Sequence, residues 1–152
     1  MHKKSLAFLA FVALSFAAFA AQAKTVEIEG TDSMKFSVEE ITVQPGEEVT
    51  IKLVNNTDMP PTAMSHNLVV LKQDVDASEF DKAAQSAADN DYIPEDRKDD
   101  IIAHTELVGG GESDTITFTA PEETGDYDYI CTFPGHFAAG MKGVLKVVEE
   151  EG

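Results

Sequence analysis

One cysteine, Cys131, is all the thiol in this 152-residue chain, so no disulfide can form within it. Basic residues are also scarce. Eleven Lys and Arg stand against 28 Asp and Glu, for a net charge of −17. A nucleic-acid phosphate backbone needs a basic face, so nucleic acid is excluded as a partner. No apolar run after residue 23 is long enough to cross a bilayer. There is no internal repeat, low-complexity linker, heptad pattern or long apolar edge, which points to one domain and a monomer.

The apolar run that does exist is N-terminal. Lys3 and Lys4 precede Leu6 to Phe19, which is almost all Leu, Ala, Phe and Val, and Ala21-Gln22-Ala23 follows as a small-x-small cleavage site. This predicts a signal peptide over residues 1–23, cut between Ala23 and Lys24, and a mature domain over residues 24–152. The expected location is periplasmic or otherwise secreted. No membrane anchor is expected, because no cysteine near the cut could take a lipid. Removing Lys3 and Lys4 moves the net charge from −17 to −19. That acidity suits a solvated surface, a saline medium or a cationic partner such as a basic cytochrome. Export places Cys131 where cysteines usually pair. A lone one must be buried, bound to something or free to dimerise.

After the cut the pattern is mostly short strands. Thr25 to Glu29 alternates, Lys35 to Val38 and Ile41 to Val43 are short β candidates, and Pro45-Gly46 turns the chain. Val49, Ile51 and Leu53 put one apolar face on a strand ending at Asn55-Asn56. Asn67 to Leu71, Asp114 to Thr119, Tyr127 to Cys131 and Gly143 to Val148 complete the set. Such a series predicts an all-β, antiparallel Greek-key β-sandwich. One helical insertion is expected over about 77–90, where Phe80, Ala84 and Ala87 or Ala88 keep near-helical spacing and Asp76 or Ser78 caps the start. Tyr92 to Asp100 reads as a polar loop.

The chemistry is concentrated near the C-terminus, in YICTFPGHFAAGMKGVLKV. Cys131, His136 and Met141 fall within eleven residues between two expected strands, and His66 stands at the mouth of a distant one, in PTAMSHNLVV. A soft thiolate, two imidazoles and a thioether suit copper. Two His and one Cys in a plane with a distant axial Met make a blue-copper electron-transfer site. Taken singly, each residue also reads as core or as a hydrogen-bonded structural group. His104 stands outside the set and reads as a packing or surface residue.

CTFPGH followed closely by a Met and then KG resembles the copper loop of azurins, and MSHN before an apolar strand resembles the segment carrying their first His ligand. YIPEDRKDDIIAHTELVGGGESDTITF resembles azurin sequence outside the copper site. The resemblance, to the cupredoxin family, covers most of residues 25–148. It implies the cupredoxin fold and one type 1 copper ion held by His66, Cys131, His136 and Met141. It further implies a weak axial contact from the Ser65 carbonyl, and Asn67 and Thr132 pinning the two ligand segments together. Backbone N–H donors to the sulfur, Phe133 among them, are implied as well.

Three departures qualify the likeness. Four residues, Phe137 to Gly140, separate His136 from Met141, where azurins usually have three; auracyanin- and rusticyanin-type cupredoxins resemble this spacing. The usual azurin disulfide has no cysteines here. Ser65 replaces the usual Gly, which makes the axial carbonyl contact less secure. The function expected is single-electron transfer, not an enzyme, with redox proteins such as cytochromes or a copper reductase or oxidase as partners. Met64, Phe137, Ala138 and Ala139, with Met59, Pro60 and Pro61 nearby, are expected to form the docking patch around an exposed edge of His136. A copper carrier and a Cys–His nucleophile are the competing readings. The second lacks an evident third group to orient the His.

Overall fold

The computed structural model describes residues 23–150. The expected signal peptide lies almost wholly outside the described residues. Eight strands form two sheets: β1 (Lys24–Gly30), β2 (Glu40–Val43), β3 (Glu48–Asn55), β4 (Val69–Leu71), β5 (Ile101–His104), β6 (Ser113–Thr119), β7 (Gly125–Ile130) and β8 (Lys142–Val147). One sheet runs β1-β3-β6 and the other β2-β8-β7-β4-β5. The chain passes repeatedly from one sheet to the other, so the all-β sandwich with one helical insertion is as expected.

The alternation that marked the strands is the alternation that builds the core. Along β3, Val49, Ile51, Leu53 and Asn55 point inward, and along β8 Gly143, Leu145 and Val147 do. Val49, Ile51, Leu53, Leu145 and Val147 meet Ile28, Val70, Tyr129 and Met141 in one cluster spanning both sheets. A side chain such as Leu145, buried completely, contributes about 2 kcal/mol from the apolar surface it removes from water.

The pairing is not all antiparallel. β1 runs parallel to β3, and β2 parallel to β8. The reason is connectivity. After β1 the chain crosses to the opposite sheet for β2 before returning as β3, so β1 and β3 point the same way. Lys35 to Val38 is not a strand. Thr31 to Lys35 is a tight turn with Met34 in the left-handed region (φ +56°), and only Phe36 bridges back, to Gly30. β5 was not expected. Its four residues are all half-buried, so no alternation marks it.

The helical insertion is shorter than expected. α1 spans Ala77–Ala84, with Asp76 rather than Ser78 as its cap: Asp76 Oδ1 accepts the Glu79 N–H at 2.9 Å. A turn of 3-10 helix over Ala88–Asn90 follows, and another over Glu95–Asp100 where a plain loop was expected. Phe80 holds α1 against Val69, Leu71, Ile93 and Ile130, and Ala84, one turn further on, is buried as well. Among the described residues no helix is long and apolar enough to cross a membrane.

Candidate metal centre

The site sits at one end of the sandwich, where three segments meet. Asn55, the last residue of β3, is fully buried, and its amide donates to Met64 O (3.1 Å) and Val108 O (3.0 Å). His66 and Val108 exchange two main-chain hydrogen bonds, of 3.0 and 2.8 Å. His66 is thus fixed by backbone on both sides before β4 begins. Asn55 had signalled only the end of a strand. Its side-chain role depends on segments 9 and 53 residues away, which local pattern does not report.

The other donors come from the loop that joins β7 to β8. Cys131 follows directly on β7, and its N–H donates to Met141 O at 3.1 Å, closing the loop at its base. Inside, the His136 N–H donates to Phe133 O (3.0 Å) and the Met141 N–H to His136 O (3.0 Å). Gly135 (φ +83°) and Gly140 (φ +92°) take the left-handed conformations these turns need.

The donor atoms of His66, Cys131 and His136 all lie within 4.8 Å of one another, and all three residues are buried. His66 Nδ1 and His136 Nδ1 are 3.2 Å apart, and Cys131 Sγ is 3.6 Å from His136 Nδ1. Both separations fit atoms bonded to one ion, for which about 2.0 Å to nitrogen and about 2.3 Å to thiolate are usual. Met141 is fully buried beside them. The donor set of two imidazoles, a thiol and a nearby thioether therefore fits copper in its chemistry as well.

Burial sets the charge state. Desolvation first, and the neighbouring His136 second, push the His66 imidazole down to about 4, and burial also lowers His136. Both rings are therefore neutral at neutral pH, with lone pairs free for a cation. Burial pushes the Cys131 thiol up to about 12, against hydrogen bonds to it from the main-chain N–H groups of Asn67 and Phe133, which favour the thiolate. A thiol so placed gives up its proton when a cation arrives to balance the charge.

Asn67 and Thr132 form the cross-tie. Asn67 Oδ1 accepts the Thr132 N–H (2.8 Å), and Asn67 Nδ2 donates to Thr132 Oγ1 (2.8 Å). Asp91 and Tyr92, both left-handed (φ +51° and +62°), present their carbonyls to Asn67 Nδ2 (3.3 Å) and Thr132 Oγ1 (2.9 Å). A positive φ at an aromatic residue is uncommon, and here it aims a carbonyl at the tie. Gln85, just past α1, donates to Thr132 O (3.2 Å). The insertion thus buttresses the metal loop. Ser65 turns its hydroxyl away from the donors, to Pro61 O at 2.7 Å.

The surface around the site differs from expectation in two respects. His136 is only 2% exposed and packs against the Phe133 ring (centroids 4.8 Å apart), so its edge lies just beneath the surface. Met64 is 7% exposed and belongs to the interior, because Asn55 ties its carbonyl inward. Phe137 and Ala139 are half-buried, and Ala138, Met59, Pro60 and Pro61 are exposed. His104 lies in β5 with Nδ1 3.0 Å from Thr105 O and takes no part in the donor cluster.

Comparison with known proteins places this geometry. The model of the family described as copper binding proteins, plastocyanin/azurin family, matches residues 22–148. Azurin-1 of Alcaligenes xylosoxydans xylosoxydans is 40% identical over 130 residues, which are 82% of this chain and 98% of that protein. Azurin of Bordetella pertussis is 38% identical over 154 residues, covering 98% of this chain and all of that one. Among solved structures, reduced auracyanin from the photosynthetic bacterium Roseiflexus castenholzii superposes with a TM-score of 0.74 at 38% identity, over 84% of this chain and 98% of that chain.

Proposed function

The chain belongs to the plastocyanin/azurin family of copper-binding proteins, and from that premise we propose that it carries single electrons between redox proteins outside the cytoplasm, without catalysing a reaction of its own. The observation that carries the reading is the convergence of two imidazole nitrogens and a thiol sulfur, all buried, with a buried Met beside them. In this reading His66, Cys131, His136 and Met141 would together hold a copper ion. Bound copper supplies a one-electron Cu(I)/Cu(II) couple.

The protein's part is to keep the ligands still. The His66–Val108 bridge, the Cys131–Met141 closure and the Asn67–Thr132 tie hold both ligand segments in place before any electron arrives. Ligands that do not move need little reorganisation, and transfer is fast for that reason. The N–H groups of Asn67 and Phe133 draw electron density from the sulfur and so tune the potential. Among the described residues the side chains that reach the His136 ring nitrogens are those of His66 and Cys131, neither of which is the carboxylate or amide that orients the base of a catalytic triad. The burial of all four residues that would hold the ion argues against a labile copper-transport site.

Location and partners follow from the remaining features. The Lys3–Ala23 segment supports export, and β1 starts at Lys24, the first residue after the expected cut. The net charge of −17 favours a cationic partner. In this reading the docking surface is drawn from the exposed Ala138, which follows the half-buried Phe137, and from Met59, Pro60 and Pro61, also exposed, in the loop that precedes His66. Phe137→Lys, which removes apolar surface and sets a positive charge against a cationic partner, should slow electron exchange with a basic cytochrome by about tenfold, read by stopped flow, while the copper absorption stays unchanged. Unchanged exchange would move the docking surface elsewhere.

A further inference from the structure

The residues that lengthen the loop between His136 and Met141 have a partner from the other end of the chain. In this loop the Ala139 N–H donates to Gly135 O (3.0 Å) and the Gly140 N–H to Phe137 O (2.8 Å). A turn wound in this way leaves its last carbonyls unused, as a helix does at its C-terminus. Lys35 Nζ takes two of them, donating to Ala139 O at 2.7 Å and Gly140 O at 3.2 Å. Gly140 O also accepts the Lys142 N–H, so Ala139 O depends on Lys35 the more.

Lys35 does not arrive as a loose surface chain. Its carbonyl accepts from the Thr31 N–H (2.9 Å) and Thr31 Oγ1 (3.0 Å), and its N–H donates to Thr31 Oγ1 (3.3 Å). The next residue, Phe36, is buried with its ring centroid 5.5 Å from that of Tyr129. The loop keeps room for the ammonium: a Cβ at Gly140 would stand 2.4 Å from Lys35 Nζ. In a chain with 28 acidic residues, the four ion pairs among the described residues use Lys52, Arg97, Lys98 and Lys146, and not Lys35. This cation is committed to main-chain oxygens.

We propose that Lys35 is a positioning residue for the copper loop, clamping Ala139 and Gly140 so that Met141 is delivered in one place and setting a fixed positive charge against the loop that carries His136 and Met141. The clamp stands on the loop geometry alone, whereas the effect of the charge rests on the electron-carrier reading. A nearby positive charge favours Cu(I) over Cu(II), so Lys35 raises the reduction potential.

Lys35→Met keeps the stem and removes the ammonium, and Lys35→Arg restores charge and donors. In metal-free Lys35→Met, amide hydrogen exchange at Ala139, Gly140 and Met141 should quicken by about tenfold, with β3 and β8 unchanged. In the copper-loaded variant, the oxidised-to-reduced ratio at a fixed applied potential should rise by about tenfold, which is about 59 mV for a one-electron couple, and Lys35→Arg should recover most of it. Unchanged loop exchange overturns the clamp, whatever the wild type's copper spectrum. Exchange that quickens equally across β3 and β8 marks a residue that only supports the fold, and overturns it too. An unchanged ratio overturns the charge effect. A wild type with no intense blue absorption overturns the carrier reading alone, and the exchange result still judges the clamp.

Discussion

Asn67→Leu should destabilise the protein by roughly 3 kcal/mol or more and lower its melting temperature by on the order of 10 °C. Leucine keeps the branched shape but makes no hydrogen bond. The Thr132 N–H loses Asn67 Oδ1 at 2.8 Å and Thr132 Oγ1 loses Asn67 Nδ2 at 2.8 Å, both in buried positions, and the more exposed Asp91 O loses its 3.3 Å partner. A buried polar group left without a partner costs about 1–3 kcal/mol. The main-chain N–H of Asn67 still reaches the sulfur. The variant should therefore keep a blue spectrum when folded, and lose copper faster because its two ligand segments are no longer tied. Thermal melts with and without copper, and copper loss to a chelator, measure both effects. An unaltered melt would mean that the tie carries no stability.

Gly30→Ala should weaken copper binding by about ten- to a hundredfold, the range usual for groups that orient a ligand. A Cβ at residue 30 would stand 2.5 Å from His66 Cδ2 and 2.7 Å from His66 Cγ, closer than carbon atoms approach. Gly30 cannot yield easily, since it pairs with Asn55 at the end of β1 and bridges Phe36. The imidazole must shift, and with it Nδ1. Overpacking of this kind also costs about 1–3 kcal/mol of stability. Competition with a chelator of known affinity reads the loss, and affinity equal to wild type would show that the His66 ring has room the structure does not give it.

Neither Gly30 nor Lys35 was visible as a site residue in the sequence, and the reason is physical. Their roles come from tertiary contacts with residues 36 and 104 or more positions away, and each sits in a segment whose local pattern says only strand end or turn. The donor set was legible because ligand chemistry restricts residue type and because three of the four residues share one loop. Asn67, Thr132 and Phe133 were legible only through the family likeness, since a buried amide tie has no periodic signature. The strands with one buried face, β3 and β8 above all, announced themselves by alternation. Alternation reports which face is buried but not which way a neighbour runs, so the parallel pairs β1–β3 and β2–β8 were missed. The exposed edge expected for His136 is absent because the ring is buried against that of Phe133, a contact that sequence spacing does not resolve.

We propose that Cys131, held with His66 and His136, binds copper through its sulfur as part of an electron-transfer site. The most direct test is the visible and EPR spectrum of the Cu(II)-loaded protein beside that of Cys131→Ser. An intense absorption near ~600 nm with a small copper hyperfine splitting is expected, both lost in Cys131→Ser. A pale, ordinary Cu(II) spectrum that is unchanged by Cys131→Ser would contradict copper binding through the sulfur.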